Sequence, residues 1–367
     1  MGFNTVGMSG PGSGTWTRLS RMLRGLARQG VILATRGPAE HMDAYLSLGL
    51  PNASFETAGG GRSSRLIPAR EIEHFSERFR LDVLHQEAAP FVRIRGTATL
   101  GSIHDLRHFR RPVSSLRSAG AVYQRLMLRH HGDNVDAWLA LSDWAKSDIA
   151  ERLNIADDRI HVVPPIVELL SMPAERLNPG LYVLSLGHLE PRKNLEVLLE
   201  ATASPEWPTG VEVWLAGADH GSGGKLLRMS QRSRVPVRFL GPVSETKKWD
   251  LLRQALAVAV PSSIEGFGIV AVEAPSAGTP AVVSDQASLP NLAFHSKALV
   301  DAFSPAAWAS RIQEIAQQPR LRSEILEAQR AGALQFSEIR ATQRLISVYQ
   351  RVLSRSGSVS DDDRAGG

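Results

Sequence analysis

Cysteine is absent from the sequence, which excludes disulfides, cysteine-ligated zinc and thiol nucleophiles. Aromatic residues are scarce, at 6%. Nucleic-acid binding wants basic charge gathered into a stripe with aromatics between. Most arginines here are scattered, so no nucleic-acid partner is expected. No apolar run approaches the ~20 residues needed to cross a bilayer. Met1–Gly10 has neither the basic region nor the apolar core of a secretory signal. Gly2 would suit a myristoyl anchor, but Val6 stands where Ser or Thr is wanted. The expected location is therefore the cytoplasm.

What is present is ordinary for a globular protein. The 367 residues are 43% hydrophobic and 22% charged, a length and composition that suit two domains, each burying a core of its own. Lys and Arg number 42 against 37 Asp and Glu, a net +5. That mild excess favours an anionic partner such as a phosphate ligand.

Short apolar runs alternate with amphipathic segments. The first series of predicted strands is Val31–Thr35, Leu81–His85, Thr97–Ile103, Ala137–Ser142 and Ile160–Pro164. The second is Leu181–Gly187, Val211–Gly217, Val237–Leu240, Leu256–Pro261 and Pro280–Ser284. Several are apolar throughout, as strands buried on both faces of a parallel sheet are. Helical patterns fall between them at Thr15–Gln29, Ser114–His131, Ala145–Leu153, Asn194–Thr202, Glu245–Gln254, Pro305–Gln317 and Pro319–Ala333. A βαβα alternation that occurs twice predicts an α/β chain of two doubly wound parallel-sheet domains. The expected boundaries are residues 1–167 and 178–336, with a linker near Val167–Gly180 marked by Pro173 and Pro179. A last helix, 338–354, with Ile339, Leu345, Ile346, Val348, Tyr349 and Val352 apolar, is expected to pack on the first domain. The Ser/Asp/Gly-rich tail, 355–367, is expected to be disordered.

The segment Pro261-Ser-Ser-Ile-Glu-Gly-Phe-Gly-Ile-Val-Ala-Val-Glu273 carries the strongest chemical signal. A strand runs into a glycine turn, and a helical pattern starts near Gly268. Free N–H groups at such a helix start, together with the helix dipole, suit anions or sugar oxygens. Glu265 lies in the turn and Glu273 on the helix, where carboxylates can each accept bonds from two hydroxyls. Alone, the pair reads rather as a turn residue and a solvated helix position, since chance matches to this spacing are common. The second signal is Ser185-Leu-Gly-His-Leu-Glu-Pro-Arg-Lys-Asn194. Adjacent Arg192 and Lys193 at the top of a parallel strand are placed for a diphosphate, as a bidentate fork and a point charge, or form a solvated basic turn. Gly10-Pro-Gly-Ser-Gly14, with Gly12 and Gly14, precedes the first helix and would let backbone approach phosphates, or is a flexible start. Arg18, Arg21, Arg24 and Arg28 lie opposite Leu19, Leu23 and Leu26. They read as a solvated face, or as peripheral contact with an anionic membrane carrying a lipid-linked acceptor.

The two segments, followed by Gly278-Thr-Pro-Ala-Val-Val-Ser-Asp285, together resemble the retaining GT-B glycosyltransferases of family 4, with their "EPRKN" loop, "EGFG-x4-E" segment and "GTP-V-SD" strand. The resemblance is strong from Leu181 to about Pro290 and weaker at Ser102-Ile-His-Asp-Leu106 and Ala140–Lys146. It implies a GT-B architecture of two Rossmann-like domains facing across a cleft. The first would bind the acceptor and the second a nucleoside-diphosphate sugar. It implies that Arg192 and Lys193 bind the diphosphate and that Glu273 grips the ribose. Glu265, with the N–H groups of Phe267 and Gly268 and the following Ile269, would hold the donor sugar, and His104 would face the reacting sugar. The implied reaction is retaining transfer of a hexose or deoxyhexose to an acceptor hydroxyl in polysaccharide, glycolipid or natural-product synthesis. No cofactor and no metal are implied, and mannose-like donors are favoured (GDP-mannose or a dTDP-deoxyhexose). The acceptor is a glycan, a lipid-linked or a small molecule. A non-catalytic nucleotide-sugar-binding or scaffolding protein, a phosphorylase or an epimerase would share the fold.

Three positions depart from the family pattern. Only Phe3–Met8 precede the glycine loop, where a full strand is usual. Pro275 lies inside the helix bearing Glu273 and is expected to kink or end it. Asn291 stands where Glu is common.

Overall fold

The structure is a computed structural model that describes residues 1–8, 10–11, 13–58, 69–89, 91–104, 106, 128, 134–169 and 180–365, with backbone only at 356–365. The chain divides into two compact units, Met1–Ile166 with Glu338–Gly367, and Val167–Ser337.

The first unit is built on seven strands: β1 Gly2–Asn4, β2 Leu33–Pro38, β3 Ala53–Ala58, β4 Val83–Gln86, β5 Ala98–Ile103, β6 Ala137–Ala140 and β7 Ile160–Val162. Their order is β3-β2-β1-β4-β5-β6-β7, and every pairing is parallel. β1, β4, β5 and β6 are buried at every residue, which accounts for their apolar runs. The segment before the glycine loop does form the central strand. Three residues suffice because β1 pairs on both sides, Phe3 opposite Thr35 and His85. The first helix, Gly14–Arg28, is capped by Ser13 Oγ, which accepts from Trp16 N at 3.1 Å. Its Leu19, Leu23 and Leu26 share one core with Phe3, Leu100 and, from the last helix, Leu345, Val348, Tyr349 and Val352.

That packing corrects the reading of the arginine stripe. Arg18 and Arg21 are buried and only Arg24 and Arg28 are exposed, so the four do not form one face open to a membrane. Arg28 Nη1 is bonded to Glu338 of the last helix at 2.6 Å. The last helix runs Glu338–Ala365, past the 338–354 expected from the sequence. Once a helix is nucleated by its packed segment, each further residue adds a hydrogen bond at low entropic cost. Ile339 is 62% exposed and does not join the core.

The second unit holds β8 Tyr182–Leu186, β9 Glu212–Ala216, β10 Val237–Gly241, β11 Ala257–Val260, β12 Ala281–Ser284 and β13 Leu299–Val300. Their order is β10-β9-β8-β11-β12-β13, again all parallel. Helices Glu245–Gln254, Pro305–Gln317 and Pro319–Ala333 have the bounds predicted from sequence. The helix Ile269–Ser276 ends one residue past Pro275, whose ring removes a backbone donor and clashes with the preceding turn. The predicted helix 114–131 lies outside the described residues apart from Leu128, as does 170–179 of the predicted linker. Among the described residues no helix is long and apolar enough to cross a membrane.

Both sheets reverse their direction of growth once, between β1 and β4 in the first unit and between β8 and β11 in the second. In open α/β sheets ligands bind at the carboxyl edge of the strands beside such a switch.

Candidate active site

In the second unit the loops after β8 and β11 meet at that switch point. After β8 a single tight turn, Pro191–Lys193, is closed by Asn194 in the left-handed conformation at φ 49°. Asn194 Nδ2 donates to Ala302 O at 2.7 Å. After β11, Ser263 N and Oγ both donate to Arg192 O, at 2.9 and 3.1 Å. The two loops are thus stitched through backbone. Close strand packing supports them: a Cβ at Gly217, after β9, would lie 2.0 Å from Gly187 O, so only glycine fits there.

The side chains converge on Glu265. Its Oε2 accepts from Lys193 Nζ at 2.5 Å, Arg192 Nη1 at 3.3 Å and Ser262 Oγ at 3.3 Å. Arg192 Nη2 is also paired with Glu190 Oε1 at 2.7 Å. Burial alone would raise the Glu265 carboxyl, but Lys193 and Arg192, with hydrogen bonds from Lys193 and Ser262, outweigh it and hold the group below the usual carboxylate range. Arg192, Lys193, Glu265 and Glu190 thus form one partly buried set of ion pairs. Such a set is poised to exchange partners when an anion enters.

Gly268 sits at φ 98° and precedes the helix Ile269–Ser276. A Cβ there would lie 2.6 Å from Leu289 Cδ2, so conformation and space both require glycine. Phe267 is buried and stands edge-on to Phe336, 5.0 Å between centroids. Ser288 Oγ reaches the carbonyls of Glu265 and Phe267 at 2.8 and 2.9 Å and fixes the turn. Ile269 opens the helix, whose first N–H groups have no partner within it. Glu273 is 2% exposed. Its Oε1 accepts from Lys248 Nζ at 3.1 Å, which also pairs with Glu245 at 2.8 Å. Asn291, where the family often has Glu, is exposed on the helix Pro290–Ala293.

In the first unit His104 follows β5 directly. Its Nε2 lies 3.0 Å from Glu87 Oε2 and 2.8 Å from Arg18 Nη2. Gly14 is the first residue of its helix, and a Cβ on it would meet nothing within 4 Å. Gly12 lies outside the described residues.

The structure thus brings Arg192, Lys193 and Glu265 into direct contact, with Phe267, Gly268 and Ile269 in the same turn. Glu273 pairs with Lys248 rather than with them. Sequence reasoning missed Glu190, Ser262 and Lys248, and in the first unit Glu87 and His85. Glu190 was visible as the acidic residue of the "EPRKN" loop. Lys248 and Glu87 carry no spacing signal, since their partners are 25 residues away at Glu273 and 17 away at His104. Among the described residues no group of three or more His, Asp or Glu is placed to hold a metal ion.

The family model "Glycosyl transferases group 1" matches residues 173–331, and "Glycosyltransferase Family 4" matches residues 12–169. The D-inositol 3-phosphate glycosyltransferase of Mycolicibacterium smegmatis is 32% identical over 240 residues, 60% of this chain and 54% of the relative. That of Actinosynnema mirum is 33% identical over 214 residues, 52% of this chain and 51% of the relative. The chain spans about half the length of these relatives. Among solved structures, Anabaena HepE in complex with UDP and glucose has a TM-score of 0.72 at 16% identity, over 96% of this chain and 100% of that one. Sucrose-phosphate synthase from Thermosynechococcus elongatus has a TM-score of 0.75 at 16% identity, over 97% and 100%. Both are likenesses of fold. With one model on each half, and the EPRKN and EGFG loops joined as described, the chain belongs to the group 1, family 4 glycosyltransferases of GT-B type.

Proposed function

We propose that this chain transfers a hexose or deoxyhexose from a nucleoside-diphosphate sugar to an acceptor hydroxyl with retention of anomeric configuration and without a metal. The observation that carries this reading is the convergence of Lys193, Arg192 and Glu265 at the switch point of the second unit. An entering diphosphate competes with Glu265 for Lys193 and Arg192. As they turn to phosphate, the Glu265 carboxylate becomes an acceptor for sugar hydroxyls, beside the N–H groups of Phe267, Gly268 and Ile269. Glu273 holds the ribose hydroxyls, Gly12 and Gly14 leave space for phosphate, and His104 hydrogen-bonds the reacting sugar. In the transfer step the bond from the anomeric carbon to the diphosphate oxygen breaks. The acceptor oxygen bonds to that carbon on the same face, and its proton passes to a departing phosphate oxygen. Catalysis is then mainly electrostatic and positional.

The motifs favour a mannose-like donor. UDP and glucose are bound by the Anabaena neighbour, so a UDP-hexose joins GDP-mannose and a dTDP-deoxyhexose as donors to test. The sequence relatives are named for D-inositol 3-phosphate, which makes a phosphorylated cyclitol the first acceptor to try. The test is acceptor-dependent release of nucleoside diphosphate. Lys193→Ala is expected to lower the rate by about 10²–10³-fold, the scale of one lost electrostatic contact in a transition state. A wild type that binds nucleotide yet releases none with any acceptor would instead be a non-catalytic binding protein.

A further inference from the structure

Beneath His104 lies a set of charges that the transfer step does not use. Glu87 follows β4, His104 follows β5, and the two strands are parallel neighbours. Arg18 reaches them from the second turn of the first helix. Arg18 Nη2 and Glu87 Oε2 form an ion pair, and both atoms rest against His104 Nε2. The other oxygen of Glu87 faces His85 Nε2 at 3.2 Å and Ser102 Oγ at 3.5 Å. His85 Nε2 also meets Ser102 Oγ at 2.7 Å, and its Nδ1 meets the Tyr349 hydroxyl at 2.8 Å. The side chains of Glu87 and His85 are fully buried, whereas His104 keeps 21% exposure. His104 is therefore the solvent edge of a cluster whose charge lies inside.

A buried ion pair is a poor device for stability, because desolvation offsets its attraction and apolar packing does as well. What this one supplies is direction. Glu87 Oε2 is placed to accept from the His104 Nε2–H, while its other oxygen is held by His85 and Ser102 and its charge is balanced by Arg18. Burial alone would raise the Glu87 carboxyl, but Arg18, His85 and His104 outweigh it and hold the group ionised.

We propose that Glu87 is a positioning residue for His104: with Arg18 as counter-ion it grips the imidazole at Nε2 and fixes the orientation in which the ring meets the substrate. This rests on the transferase reading, so the test carries one readout that needs no turnover. The full chain is labelled with ¹⁵N-histidine, and His104 is assigned with His104→Gln. At one fixed pH the Nε2 shift of His104 is expected to be that of a hydrogen-bonded nitrogen in the wild type, and in Glu87→Gln to move towards that of free imidazole. In turnover, Glu87→Gln is expected to lower kcat by about tenfold to a hundredfold, the scale of a misplaced group, with KM for the donor and nucleotide affinity unchanged. Glu87→Asp is expected to recover part of the loss. Glu87→Gln combined with His104→Ala is expected to be no slower than His104→Ala alone. An unaltered His104 spectrum in a folded Glu87→Gln, or losses that add in the double variant, would overturn the proposal. If Glu87→Gln does not fold, a wild-type Nε2 shift like that of free imidazole overturns it. Absence of turnover by the wild type contradicts the transferase reading alone, while the spectra still decide whether Glu87 holds the ring.

Discussion

Glu265 and Gly268 are three residues apart, yet they are fixed by different physics. Glu265 depends on charges brought from another loop, and Gly268 on backbone conformation and lack of room. Gly268→Ala is expected to destabilise the second unit by about 1–3 kcal/mol, read by urea unfolding, and to abolish nucleotide binding by displacing the turn. His85 makes a pH prediction. Burial, with Arg18 and His104 adding to it against the pull of Glu87, pushes its pKa down to about 4. The unfolded chain then binds more protons than the folded one between about pH 4 and the free value near 6.5. Its contribution is complete above that window and is lost as pH falls through it. It amounts to something on the order of 3 kcal/mol. Urea unfolding should show stability falling from pH 6.5 towards 4, with a shallower fall in His85→Gln. At this scale the sequence showed residues that carry a motif, such as Arg192, Lys193, Glu265 and Gly268. It hid those defined by a distant partner, such as Lys248, Glu87 and His85, because pairing across strands leaves no local pattern.

The elements most legible in the sequence were those with caps and periodicity of their own. Ser244 and Ser304 cap helices that begin where the spacing placed them, and strands buried on both faces announce themselves by composition. β3 was missed because it is a sheet edge, largely exposed and only partly apolar. β1 was doubted because of its length, although pairing on both sides stabilises three residues that could not stand as a lone strand. The first helix was read as an arginine face because periodicity shows which side is apolar but not what covers the other side. The last helix packs Leu345, Val348 and Val352 into the core of the first unit. Leu345→Ala is expected to cost about 2–5 kcal/mol, measured by urea unfolding, while leaving nucleotide affinity unchanged.

At the scale of the whole molecule, two parallel sheets with one reversal each put loops, glycines and helix starts at the carboxyl edges of their strands. The alternation of apolar runs already carried that architecture, since parallel strands need crossover helices. The acceptor was not legible, because nothing in the first unit repeats a motif as dense as that of the second. The claim on which the functional reading depends is that the second unit binds a nucleoside diphosphate through Lys193, Arg192 and Glu273. The most direct measurement is thermal unfolding of the whole chain against a panel of nucleoside diphosphates and their sugars. A ligand at a hundred times its dissociation constant adds about 2.7 kcal/mol, which at roughly 2–4 °C per kcal/mol for a unit of this size is easily seen. The expected result is a rise in Tm with one base, lost in Glu273→Ala and reduced in Lys193→Ala. No rise with any nucleotide, or an equal rise in both variants, would contradict the assignment of this site.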